Sequence, residues 1–162
     1  MDGKRRPVVA VVGGSRCTPE EAELAGEVGR LLAEVGAAVV CGGYGGVMEA
    51  VARGAREKGG LVVGLLSGAT VEDANPYLSL ALPTGMGEMR NALIVRAAES
   101  VIAIGGGFGT LSEIALALRL GRPVIGLRTW EFRDPSGGPD PVRRVDTAAE
   151  AVRLALQFGP RA

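Results

Sequence analysis

The sequence predicts an α/β protein, a mainly parallel sheet with helices on both faces. Two observations lead there. Near-continuous runs of Val, Ile, Leu and Ala, which suit strands buried on both sides, alternate along the chain with segments whose apolar residues recur at helical spacing. Three of the runs also end in glycine pairs directly before a helix start, as a strand does when it turns straight into a helix. Such alternation argues for a doubly wound, Rossmann-like sheet, in which ligands bind beyond the carboxyl ends of the strands.

The first strand is read in PVVAVVGGS (7–15). The helix after it spans 18–36. Thr18 caps it, Pro19 suits its first position and Glu21 completes a capping box. Leu24, Val28, Leu31, Leu32 and Val35 form its apolar stripe, and Gly36 ends it. AAVVCGG (37–43) is a second strand, GVMEAVARGAREKG (46–59) a second helix and LVVGLL (61–66) a third strand. Residues 67–86 hold turn residues around one short apolar run, with Glu72, Asp73 and Asn75 in a solvated turn. GEMRNALIVRAAE (87–99) is a helix, SVIAIGG (100–106) a strand, GTLSEIALALRLG (109–121) a helix and PVIGL (123–127) a strand. Pro and Gly punctuate a loop over 128–144. DTAAEAVRLALQF (146–158) closes as a helix, with Thr147 and Glu150 as a second capping box. No linker divides the chain, so 1–162 reads as a single nucleotide- or phosphate-binding domain.

Composition removes several functions. The formal net charge is zero, which argues against a protein that wraps nucleic acid through many phosphate contacts. No apolar run approaches the ~20 residues of a membrane span, and no signal-peptide pattern opens the chain. The expectation is a soluble cytoplasmic protein. Two cysteines, Cys17 and Cys41, make no disulfide framework and read as small buried residues. The chain has no histidine, so His-based triads, general bases and metal sites are out, and no metal centre is expected. The lysines are Lys4, in an N-terminal tail, and Lys58, at a helix end. Neither is placed for a Schiff base.

The chemistry lies in the glycine turns. GGYGGVMEA (42–50) and GGFGTLSEI (106–114) align without gaps: Gly-Gly-aromatic-Gly, a helix start, then a Glu. With Gly13, Gly14 and Ser15 they make three glycine-marked strand ends that would line one crevice if their strands were neighbours. A first helical turn leaves N–H groups without partners and carries a partial positive charge; glycine lets an anion reach them. A phosphate site at Gly13, Gly14, Ser15, Gly42, Gly43, Gly46, Gly106, Gly107, Gly109 and Thr110 competes with the plainer reading of tight turns holding no ligand. The loops are neither a Walker A sequence nor a full G-x-G-x-x-G. Taken singly, Glu113 and Glu49 could merely complement a helix dipole, Arg90 could be a solvated helix charge, and Trp130 reads as an apolar cover.

MRN (89–91), followed by Glu113 in GGGFGTLSE, resembles the Lonely Guy (LOG) superfamily, long labelled lysine decarboxylases; CGGYGGVMEAVARGA resembles its second-strand loop. The likeness runs from about residue 8 to 127. It implies a Rossmann-like fold, a homo-oligomer (dimer or tetramer) and hydrolysis of a nucleoside 5′-monophosphate to free base and ribose 5-phosphate. Carried over, Arg90 and Glu113 become the catalytic pair, and Gly106, Gly107, Gly109 and Thr110 hold the phosphate. Asn91 stands where the family has Lys, and Gly105 where it has Pro. These departures, with a short C-terminus, resemble a branch that includes molybdenum cofactor carrier proteins. The alternative is therefore a non-catalytic carrier of a nucleotide or molybdopterin-type ligand, with the molybdenum cofactor as ligand; no other cofactor is expected. The hydrolase chemistry is coherent: a carboxylate stabilises the positive charge that builds on ribose as the N-glycosidic bond breaks, and an Arg clamps phosphate or ribose oxygens. Met89, Leu93, Ile94 and Ala97, read along one side of helix 87–99, add an apolar face for the oligomer.

Overall fold

A computed structural model describes residues 5–158; Lys4 lies outside them. The elements in order are β1 (Val8–Gly13), α1 (Pro19–Glu34), β2 (Ala38–Cys41), α2 (Val47–Glu57), β3 (Leu61–Leu66), β4 (Leu80–Pro83), a 3-10 turn (Gly87–Arg90), α3 (Asn91–Ala97), β5 (Ser100–Ile104), α4 (Phe108–Arg119), β6 (Val124–Leu127), β7 (Arg143–Arg144) and α5 (Ala148–Leu156). The seven strands form one sheet in the order β4-β3-β2-β1-β5-β6-β7, and every pairing is parallel.

Alternate residues of each central strand face opposite sides, and both sides are covered. Val9 and Val11 of β1 and Ile102 and Ile104 of β5 pack with Val28 and Leu32 of α1, Val47 and Val51 of α2, and Ala151 and Val152 of α5. Ala10, Val12, Val101 and Ala103 face the other way, toward Ile94 and Val95 of α3 and Ile114 and Ala117 of α4. Burial on both faces is what made the strand runs continuously apolar. At the start of α1 the capping box is complete: Glu21 N donates to Thr18 Oγ1 at 3.2 Å, and Thr18 N donates to Glu21 Oε2 at 2.9 Å. At α5 the Thr147 Oγ1 accepts from Glu150 N at 3.2 Å, the forward half of a box.

Three segments depart from the sequence reading. Within 67–86 lies the edge strand β4, paired Val63 to Leu80 through Leu66 to Pro83. Exposed on most of its length, it carries no burial pattern, and its edge position tolerates Pro83. At the other edge β7 emerges from the 128–144 loop as two arginines, equally silent in hydropathy. The expected helix 87–99 is a 3-10 turn followed by α3. Gly87, at φ 56°, donates its N–H to Ser67 O at 3.0 Å, which anchors the turn to the end of β3. Ile94 points into the core while Met89 and Leu93 stay exposed, so the expected single apolar side is split. No helix among the described residues is long and apolar enough to cross a membrane.

The chain winds outward from β1 through β4 in one direction and from β5 through β7 in the other. β1 and β5 are therefore neighbours at the point where the winding reverses, and the crevice beyond their carboxyl ends is the place such sheets bind ligands.

Candidate functional site

A cleft of about 550 Å³ opens at that point. Gly13, Gly14 and Ser15 from the end of β1, Gly42 from the end of β2, Gly107, Gly109 and Thr110 from the turn into α4, and Arg90, Asn91 and Glu113 all line it. The three glycine-marked ends thus meet in one cavity. Gly43, Gly46 and Gly106 do not line it. A Cβ on Gly43 would strike Leu66 and Leu78, so this glycine faces the packing under β3. Gly46 is pressed against the backbone of Gly14 and Ser15, and Gly106 lies beneath the Thr110 side chain.

The internal echo proves to be one of sequence and not of structure. In the first copy the helix cap is Gly46 and α2 begins at Val47; in the second the cap is Gly107 and α4 begins at Phe108. Val47 N–H is taken by Gly14 O at 3.0 Å. In the second copy, among the described residues, the N–H groups of Gly106, Gly107, Phe108, Gly109 and Thr110 have no protein acceptor. A Cβ on Gly107 or Gly109 would meet nothing within 4 Å. Free donors at an open helix start are the kind of group to which anions bind.

Arg90 is not a solvated charge. Its side chain is buried, at 8% exposure, and Nη1 donates to Gly42 O at 2.8 Å and to Leu65 O. The guanidinium stands 5.7 Å from the Tyr44 ring centre. Gly42 leaves room for it: a Cβ there would lie 3.0 Å from Nη1. Nε is buried without a partner. A buried charged group with an unmet donor is costly unless something completes it. Arg90 lines the same cleft as Gly107, Gly109 and Thr110.

Glu113 lies one turn into α4 at 7% exposure. Burial pushes its carboxyl up to about 7, against the opposing pull of the Arg90 guanidinium. That is far from the solvated dipole partner that a helix position alone suggests. Asn91 donates from Nδ2 to Ser112 Oγ at 3.1 Å, and Ser112 Oγ donates to Gly109 O at 2.7 Å. It ties α3 to the first turn of α4. Cys41 is fully buried, its thiol pushed up to about 12 by that burial; Cys17 is raised by burial and then by Glu21 and Glu49.

Several residues escape sequence reasoning. Tyr44, Met48, Ser67, Glu88 and Arg16 also line the cleft. Ser67 follows the carboxyl end of β3 and Tyr44 follows that of β2, so strand-end position was the available signal. Asn75, expected in a solvated turn, is buried. Its Nδ2 donates to Tyr44 O at 2.9 Å and its N–H to Gly43 O at 2.9 Å, pinning the first glycine turn. Trp130 stands beside the exposed Phe108, with ring centres 5.8 Å apart, and donates Nε1–H to Gly107 O.

Residues 6–152 match the SLOG cluster4 family. The chain belongs to that family. A relative, an uncharacterized protein of Archaeoglobus fulgidus, is 39% identical over 91% of this chain and 93% of its own. The molybdenum cofactor binding protein of the phototrophic bacterium Rippkaea orientalis superposes with a TM-score of 0.84 at 33% identity, over 93% of this chain and 95% of that one. The molybdenum cofactor carrier protein of Chlamydomonas reinhardtii gives 0.80 at 27%, over 95% and 98%. DNA processing protein A of Streptococcus pneumoniae shares the fold at 19% identity (TM-score 0.73, over 96% of this chain and 63% of that one), a likeness that speaks to the fold alone.

Proposed function

We propose that this SLOG protein is a cytoplasmic binding or carrier protein for a phosphorylated small molecule of the molybdopterin type. The observation that carries the reading is the row of five unpartnered amides at Gly106–Thr110, of which Gly107, Gly109 and Thr110 line one cleft with the buried, incompletely satisfied Arg90. Together they supply donors and one positive charge to a phosphate-bearing ligand. The likeness to two molybdenum cofactor proteins along nearly the whole chain supports that cargo. Gly107, Gly109, Thr110 and Arg90 would hold the phosphate, and Tyr44, Met48 and Ser67 would line the rest of the ligand.

A second reading, nucleoside 5′-monophosphate phosphoribohydrolase, is favoured by Arg90 and Glu113 sharing the cleft. Two facts weigh against it. With its carboxyl raised to about 7, Glu113 is substantially neutral at neutral pH, and a neutral acid stabilises a developing ribosyl cation less than a carboxylate does. Asn91 brings no charge where the resembling enzymes have Lys, and its amide is occupied by Ser112.

The test runs both reactions on one preparation. Protein mixed with molybdenum cofactor released from a molybdoenzyme is passed through gel filtration and assayed for pterin and molybdenum; a parallel sample is incubated with AMP and assayed for free adenine. Retained pterin near one per chain without adenine release is the expected result. Adenine release that disappears in Glu113→Gln would overturn the carrier reading in favour of the hydrolase.

A further inference from the structure

The segment after β6 plays no part in the cleft, yet it is bonded to the turn that carries the free amides. We propose that Thr129 and Trp130, held from behind by Arg144 and Asp140, form a strap that positions the free amides of Gly106–Thr110. The proposal rests on the reading of those amides as a ligand site.

β6 ends at Leu127, and Arg128 then takes φ 51°, the one positive φ outside glycine among the described residues. A side-chain-bearing residue held in that region marks a backbone that its surroundings constrain. The reversal carries the next two residues across the end of β5. Thr129 Oγ1 donates to Gly105 O at 2.6 Å, and Trp130 Nε1 donates to Gly107 O at 3.2 Å. In a planar trans peptide the carbonyl oxygen and the following N–H point in opposite directions. Oxygens drawn toward the strap therefore send the N–H groups of Gly106 and Phe108 away from it. Thr129, Trp130, Gly106 and Phe108 do not line the cleft; Gly107, which lies between the two oriented peptides, does, as do Gly109 and Thr110.

The strap is itself gripped. Arg144 donates from Nη1 to Thr129 O at 3.2 Å and from Nη2 to Trp130 O. Its Nε and Nη2 also donate to Asp140 Oδ2 at 2.9 and 2.7 Å, while Asp140 Oδ1 accepts from Val142 N at 2.8 Å. A guanidinium fork reaching two carbonyls and a carboxylate at once fixes direction as well as distance, which a lysine could not do. β7 pairs Arg144 with Gly126, and a Cβ on Gly126 would come within 3.1 Å of Arg144 Nη1 and 3.0 Å of Thr129 Cγ2. This two-residue strand thus presents Arg144 to the strap.

The test uses the full chain and two kinds of readout. Thr129→Val removes the hydroxyl donor while keeping the shape, Thr129→Ser keeps the donor, and Arg144→Met removes the fork. Backbone amide relaxation of residues 106–110 reports rigidity without any ligand. Order parameters near about 0.85 are expected in wild type and Thr129→Ser, falling below about 0.6 in the other two. Dissociation constants for inorganic phosphate and AMP should rise at least tenfold in those same two variants and recover in Thr129→Ser. Rigid amides in Thr129→Val and Arg144→Met would overturn the strap, and so would loosened amides with unchanged affinity. If wild type binds neither probe, the reading of the cleft fails, and the relaxation contrast still decides whether the strap holds the turn.

Discussion

The two glycine turns at 42–46 and 106–110 share a sequence pattern and do opposite work. In the first, Tyr44 folds in: its hydroxyl is 3.0 Å from Ser67 Oγ and accepts from Gly68 N at 3.0 Å, while Gly46 is pressed against the Gly14–Ser15 backbone after β1. In the second, Phe108 stands outward at 82% exposure, and a Cβ on the glycine to either side of it would meet nothing within 4 Å. One turn uses the missing side chains to bring two backbones together, the other to leave a backbone bare. Glycine has both uses, and the spacing of a motif does not distinguish them.

The largest contrast should come from Gly46→Ala. The residue sits at φ 64° with no room for a methyl group, so strain and overpacking add. Urea unfolding should show a loss of about 3–4 kcal/mol. A loss below about 1 kcal/mol would mean that the first turn can open as the second does.

Next is Glu113, beyond the first turn of α4, whereas its counterpart Glu49 lies within the first turn of α2. Glu113 has a folded-state pKa raised from 4.5 to about 7, so its unfolded form ionises first as pH rises. The stability it contributes is complete below about pH 4.5 and lost through about pH 7, a fall of about 3 kcal/mol. Glu113→Gln should remove that fall and leave the protein more stable than wild type at pH 8. Unfolding curves at pH 5 and pH 8 measure it, and equal pH dependence in the two proteins would show that Glu113 ionises freely.

The smallest effect on stability, and the sharpest on binding, belongs to Gly109→Ala. A methyl group there meets open space inside a helix, so the fold should gain about 0.4–1 kcal/mol. Isothermal titration with phosphate should nevertheless show affinity falling about tenfold, near 1.4 kcal/mol, because the methyl group sits where the anion would approach. Unchanged affinity would place the anion elsewhere in the cleft.

Much of this was legible from the sequence, for reasons that can be named. β1, β2, β5 and β6 are buried on both faces, so hydropathy marks them. Thr18 and Glu21 state the start of α1 outright. β4 and β7 lie at the edges, where exposed residues carry no pattern. In the site, Gly13, Gly14, Gly42, Gly107 and Thr110 were visible because they end strands or begin a helix. The burial of Arg90 was not, since its partners Gly42 O and Leu65 O are main-chain atoms that no residue type announces. The same holds for Arg144, whose acceptors include Thr129 O and Trp130 O. The echo in 42–50 misled because its glycines predict closeness without saying to what.

The attachment of Arg90 to carbonyl oxygens has a consequence for change over generations. Side-chain partners can be lost by mutation; the carbonyls of Gly42 and Leu65 persist whatever replaces their neighbours. The hold on Arg90 therefore survives any side-chain change at Leu65, while at Gly42 an added Cβ would lie 3.0 Å from Nη1. Loss of that charge takes a change at Arg90 or at Gly42, whereas Met48 and Glu88 on the cleft wall hold no hydrogen bond to the guanidinium.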